Sequence, residues 1–233
     1  MNRKKKFLVI DVETANNMDN PLVYDIGFAV TDNTGYIYEQ HSFVIRDVFV
    51  CECELMCSAY YANKIPLYVQ ALAENKIKMA DFQYVRAVIH NIMKKYNITT
   101  VCAYNASFDI NALNNTLRYL TKSKYRWFFP YGTEINCIWS MACQVLYTQK
   151  KFGKFAVENG FISPKGFIQT SAEIGTRYLT KDIEFEEKHT GLEDVLIEIQ
   201  IMVKCYKQHK KMDKSVNRAC YRIPTKIHSA LLD

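Results

Sequence analysis

With 233 residues, of which 49% are hydrophobic and 23% charged, the chain has the make-up of an ordinary globular protein with room for a substantial core. No apolar run approaches the about 18 residues of a membrane helix, so no membrane span is expected and no membrane partner is called for, and the opening MNRKKKFLVIDVE loses its apolar run at Asp11, so no secretory signal is expected. Eight cysteines then point to mostly free thiols in a reducing compartment, expected to be cytoplasmic, and the lysine-rich composition and compact length suit a bacterium or its phage. The densest group, CECELMC, lacks a second pair at metal-ligand spacing and reads as thiols rather than a zinc site.

In chain order, FLVIDVE (7–13) predicts a core strand, LVYDIGFAVTD (22–32) a second and GYIYEQHSFVI (35–45) a third, with DNTG as a hairpin turn. Together they predict an antiparallel meander opening a mixed sheet. From about Ser58 to Tyr96 the texture is helical, through ALAENKIKM and then DFQYVRAVIHNIMKKY, for which Asp81 is the expected N-cap. TTVCAY (99–104) reads as a strand and FDINALNNTLRYL (108–120) as a helix, which makes a crossover unit and an α/β class. CIWSMACQVLY, SAEIGTRYLT and the long stretch from Gly191 predict further helices.

The formal charge of +6 is unevenly placed: Lys204 to Lys226 holds eight basic residues and one acidic, so the remainder is near neutral. The cluster suits a polyanion as well as it suits a solvated helix face. Residues 210–233 are read as a basic extension on a main domain spanning 1–209.

Three short stretches carry chemistry. In IDVET, strand alternation turns Asp11 and Glu13 to one face while Val12 packs on the other. Two acids following FLVI are drawn toward burial, where like charges need a cation or a raised pKa. In AYNASFD, an amide and a carboxylate, Asn105 and Asp109, end a core strand; such residues also mark ordinary strand-to-helix turns. In HTGLEDV, Thr190 and Glu193 match a capping box that starts the long helix, which places His189 just before it and Asp194 in its first turns. If the crossover sheet and the long helix bring these stretches together, Asp11, Glu13, Asp109 and Asp194 converge, and an all-oxygen set suits Mg²⁺ or Mn²⁺.

The set DVET, AYNASFD and HTGLED resembles the three motifs of the DEDDh subclass of DnaQ-like 3'-5' exonucleases, in family order and over about four fifths of the chain. The resemblance implies a ribonuclease H-like fold, a mixed sheet flanked by helices, and two divalent cations held by Asp11, Glu13, Asp109 and Asp194. It implies His189 as general base, Asn105 as a support of site geometry, Phe108 packed beneath the site and Thr14 against the terminal nucleotide. Two departures are visible: Asp25 stands in YDIG where the family usually carries Glu, and Thr14 is followed by Ala15-Asn16-Asn17 rather than glycine. The expected activity is release of 5'-mononucleotides from DNA or RNA with a free 3' end, single strands ahead of duplexes. Lys210, Lys211 and Lys214 would form a backbone track, with Tyr206, His209 and Tyr221 available to stack on bases. A polymerase or replication complex and a second copy of the chain are further candidate partners. The rival reading is a catalytically inactive nucleic-acid-binding or polymerase-associated module.

Overall fold

FLVIDVE lies within β1 (Lys6–Ala15), the strand around which the other elements are arranged. The second apolar run forms β2 (Leu22–Asp32) and the third supplies β3 (Ile37–Ile45); the turn between them is closed by the Asp32 carboxylate, which accepts the Thr34 N–H at 2.7 Å. The three strands pair antiparallel, as the meander reading expects. The computed structural model describes residues 5–57, 59 and 62–232; residues 1–4, the start of the expected helical stretch at Ser58, Tyr60 and Tyr61, and Asp233 of the extension lie outside the described residues.

Two short helices, α1 (Arg46–Phe49) and α2 (Cys53–Cys57), and then α3 (Ile65–Ala73) lead to β4 (Lys78–Ala80), which pairs parallel with β3. Here the helical reading of ALAENKIKM is corrected. The helix stops at Ala73, and the last residues become an edge strand too short for its alternation to register. In α4 (Phe82–Tyr96) Asp81 does hold the N-cap position, but its carboxylate pairs with Arg46 at 3.0 Å. The cap is supplied from afar by Asp47, which accepts the Phe82 N–H at 2.7 Å. The crossover unit follows as β5 (Thr100–Ala103) and α5 (Ala106–Thr121).

Beyond it, β6 (Glu134–Cys137) runs directly into α6 (Ile138–Val145), so the cysteine expected to open a helix instead ends a strand. Four helices complete the chain: α7 (Lys150–Glu158), α8 (Ala172–Thr180), α9 (Gly191–Tyr206) and α10 (Arg222–Ile227). The mixed sheet has the order β4-β3-β2-β1-β5-β6, with β5 parallel to β1 and β6 parallel to β5.

Alternation along β1 divides the core. Leu8, Ile10 and Val12 enter the apolar layer shared with α4 and α5, whereas Phe7 and Val9 enter the layer shared with α6, α8 and α9. Asp11 and Glu13 continue the second row, so the two acids emerge on the α9 side. The basic extension rests on this same layer: Lys214 accepts the Cys137 N–H at 2.8 Å, and buried His228 lies 2.9 Å from the Tyr147 carbonyl. No helix among the described residues is long and apolar enough to cross a membrane.

Candidate active site

Strand β1 outruns its parallel neighbour. Pairing with β5 is confined to Leu8 and Val9, so the end of β1 that carries Asp11 and Glu13 has no strand on that side. Asp109, on the first turns of α5, fills the gap, its carboxylate accepting the Val12 N–H. This fixes Asp109 beside Asp11 and explains how a carboxylate comes to be buried at the start of a helix.

Helix α9 reaches the same place through a close backbone contact. A Cβ built on Gly27 of β2 would lie 2.0 Å from the Gly191 carbonyl carbon, and one on Gly191 would lie 2.5 Å from the Gly27 nitrogen. Only glycine at both positions lets the helix start touch the sheet. Asp25 secures the contact: its buried carboxylate accepts the Gly191 N–H at 2.9 Å and the Tyr68 hydroxyl at 2.7 Å. The capping box is corrected in consequence. Thr190 is the N-cap residue, but its hydroxyl donates to the Glu193 carboxylate at 2.8 Å and caps no N–H, because Asp25 has taken that role for the first helical residue.

The outcome is one cleft of about 770 Å³ onto which Asp11, Glu13, Asp109, His189 and Asp194 all open. Ligand atoms of Glu13, His189 and Asp194 lie within 4.8 Å of one another, and those of Glu173, Glu187 and His189 do likewise, so His189 stands between two acidic groups. Its Nδ1 is 3.9 Å from Glu187 Oε2. A sixth acid, Glu198, also opens onto the cleft; it is 3% exposed and its Oε2 has no hydrogen-bond partner. Sequence reasoning passed over it as one acid on a long helix. A signal existed, since Glu198 falls four residues from both Asp194 and Met202, on the buried stripe of α9.

Burial raises the carboxyls of Asp11, Glu13, Asp109, Glu187, Asp194 and Glu198, and repulsion from neighbouring acids adds to the rise at all of these but Asp109. Glu13 is pushed up to about 9 by burial first and then by Asp194, and Asp194 to about 8 by burial and then Glu187. Burial raises Asp109 to about 7 against the opposing pull of its own N–H and that of Val12. Asp11 is driven well above the carboxylate range by burial, then by Glu198 and Asp109; Glu198 is driven up by burial, then by Asp109 and Asp194. The Lys64 ammonium works against the rise at Glu13 and Asp194. His189 moves down from 6.5, mainly through burial, and is a neutral imidazole at neutral pH. An oxygen-rich set with one imidazole, no thiol and an orphaned carboxylate oxygen fits hard divalent cations, which would let the acids ionise together.

The remaining expected residues are spread around the cleft. Phe108 is half-buried and lines the cleft, and Asn105 is exposed where the cleft meets a neighbouring hollow. Thr14 is half-buried just past a register shift in β1 and is not on the cleft wall. Nor are Lys210, Lys211 and Lys214. The Tyr206 ring is stacked on Phe7 at 5.8 Å beneath the Lys214 ammonium, which uses it internally, and His209 is exposed away from the cleft. Tyr221 does reach the wall, stacked on Trp139 at 6.2 Å and edge-on to Phe167. Trp139 is held by its indole N–H to Thr170 Oγ1 at 2.9 Å. This aromatic wall faces the acids, with exposed Lys165 beside it.

No protein-family profile and no curated protein matches the chain. Among solved structures it is similar to E. coli Exonuclease I in complex with a 5cy-dT13 oligonucleotide, with a TM-score of 0.53 and 13% identity over 89% of this chain and 42% of that one. It is also similar to a moderately thermophilic Exonuclease I from Methylocaldum szegediense, with a TM-score of 0.52 and 17% identity over 88% of this chain and 41% of that one. A third similar structure is E. coli Exonuclease I with a dA16 oligonucleotide, at a TM-score of 0.50 and 17% identity over 86% and 41%. The chain thus spans about two fifths of the length of these enzymes. The likeness is one of fold: an α/β, ribonuclease H-like mixed sheet flanked by helices, as the motifs imply.

Proposed function

We propose that the chain is a metal-dependent 3'-5' exonuclease that removes 5'-mononucleotides from single-stranded nucleic acid. The observation that carries this reading is the convergence on one cleft of Asp11, Glu13, Asp109 and Asp194, from three separate elements, around a neutral His189. A pure nucleic-acid binder gains nothing from acids turned toward a polyanion. Glu13 and Asp194 beside His189, together with Asp11, Asp109 and Glu198, would hold two divalent cations. When bound, such cations supply positive charge to the phosphoryl oxygens and acidify a water.

The chain's own residues supply the rest. His189 accepts the proton of the attacking water at Nε2 while Nδ1 faces Glu187. Trp139 and Phe108 stack on the terminal base, which tolerates any sequence because every base has a π face. Asn105 supports the corner where the strand enters, and Lys165 offers a charge to a phosphate. Residues 1–209 form the exonuclease unit in this reading, with 210–233 as an extension packed upon it.

The test is product analysis of 3'-labelled and 5'-labelled DNA and RNA oligonucleotides with Mg²⁺, Mn²⁺ or EDTA. The expected result is a metal-dependent ladder that shortens from the 3' end and leaves a circular substrate intact. Binding without cleavage under every metal condition would instead favour the binding-module reading. His189→Ala is expected to lower turnover at neutral pH while retaining metal binding. An unchanged rate from about pH 6 to 9 would remove His189 as the base.

A further inference from the structure

A groove leaves the acidic cleft and changes character along its course. Asn105, Phe108 and Trp139 line both the cleft and an adjoining hollow of about 510 Å³; Asn115 and Arg118 line both that hollow and a third of about 610 Å³. The three form one path along α5, a helix about 24 Å long. The opposite wall is the loop after β1, from Asn16 to Pro21, which begins just after Ala15, where the sequence departs from the expected glycine. Asn115 ties the walls together by donating to the Pro21 carbonyl at 3.0 Å.

The charge along this path is the reverse of that in the cleft. Among the described residues lining the two hollows, Asp19 is the acid, against Arg118, Lys122, Lys124 and Arg218. The stretch RYLTKSKYRW (118–127) sets four basic residues among Tyr119, Tyr125 and Trp127 with no acid. Arg118 lies 4.7 Å over the Trp127 ring and Lys122 lies 4.4 Å over Tyr119, yet Trp127 and Tyr125 keep 62% and 88% of their surface exposed. Amides from Asn111 and Asn115 add hydrogen-bonding groups without a pattern that reads bases. Basic residues interleaved with exposed aromatics suit a flexible strand with accessible bases, and the groove is continuous with the cleft that would receive its end.

We propose that this groove binds the single strand upstream of its 3' end, with phosphates on Arg118, Lys122, Lys124 and Arg218 and bases against the Tyr119 and Trp127 side. The inference rests on the exonuclease reading and gives it a substrate path. It also moves that path from the lysines of residues 210–214, which line neither the cleft nor the groove, to α5 and the loop after it.

The test is fluorescence anisotropy with 5'-labelled dT and rU homopolymers of about 12 nucleotides, with Ca²⁺ as the metal and over a range of salt. Lys122 and Lys124 are exposed, so Lys122→Glu/Lys124→Glu is compared with wild type at equal melting temperature. The expected result is binding about tenfold weaker or worse, with the slope of log K against log salt reduced by about 1.4, the value for two phosphate contacts on a single strand. Trp127→Ala is expected to weaken binding with the slope unchanged. Loss on dT, on rU or on both supports the groove and names its nucleic acid. Unchanged binding to both overturns the inference, as does a loss confined to Lys210→Glu/Lys211→Glu/Lys214→Glu. Wild-type protein that neither binds nor cleaves any strand strikes the exonuclease reading itself, whereas wild-type cleavage with an indifferent Lys122/Lys124 variant strikes the groove alone.

Discussion

Glu198 sits one helical turn beyond Asp194, and its orphaned oxygen is costly to bury with nothing to neutralise it. Glu198→Gln removes a carboxyl that on folding must either take up a proton or bring a charge beside Asp11, so the metal-free protein is expected to melt at a higher temperature than wild type. The same change is expected to weaken Mn²⁺ binding by about tenfold or more, read by calorimetric titration, because a hard cation loses an anionic oxygen. A variant that melts lower and binds Mn²⁺ as well as wild type would show Glu198 to be a packing residue only. The three motif stretches were legible because each compresses its chemistry into a few neighbouring residues. Glu198 was not, since its meaning depends on which face of α9 is buried. The aromatic wall was legible only in part: Tyr221 stood out among basic residues, but Trp139 lies in a segment that reads simply as an apolar helix.

At the scale of elements, the seat of α9 on β2 positions half of the site. Gly27→Ala would set a methyl against the Gly191 and Leu192 backbone, which has no flexible end to yield. The helix start must then lift, and the expected outcome is a destabilised protein, by about 1–3 kcal/mol, with turnover lost more completely than stability. Comparing melting temperature with metal-dependent turnover checks this; full turnover would show that the close contact does not place His189 and Asp194. Asp25→Ala acts on the same joint by leaving the Gly191 N–H and the Tyr68 hydroxyl without their acceptor. The long strands and helices were readable from periodicity, which accumulates over many residues. The three residues of β4 and four of β6 are too few for that, and the Asp47 cap on α4 joins positions 35 residues apart, so no local pattern carries it.

For the whole molecule, the raised carboxyls make stability a function of pH and metal together. Glu13 rises from 4.5 to about 9 and Asp194 from 3.8 to about 8, so between those limits the folded protein holds protons that the unfolded chain has released. Their contribution is therefore fully present below the unfolded values and is lost as pH rises through the folded ones. Metal-free protein is expected to melt progressively lower from about pH 5 to 9, and added Mg²⁺ to raise the melting temperature most at the alkaline end, where proton and cation no longer compete. Melting curves in EDTA and in Mg²⁺ across that range measure it, and a metal-independent profile would contradict cation binding by these acids. The overall topology was legible as a meander followed by a crossover unit, while the course of residues 210–232 was not, because a largely irregular segment with one six-residue helix shows no sustained period. That segment meets the end of the edge strand β6, where the Lys214 carbonyl accepts the N–H of Cys137, the last strand residue. A bare strand margin is a template for pairing with another chain, and a lysine-bearing cover is a means of blunting it. A cover of this kind would have a use independent of any polyanion, and shortening the chain to residue 209 is expected to yield protein that self-associates in concentrated solution.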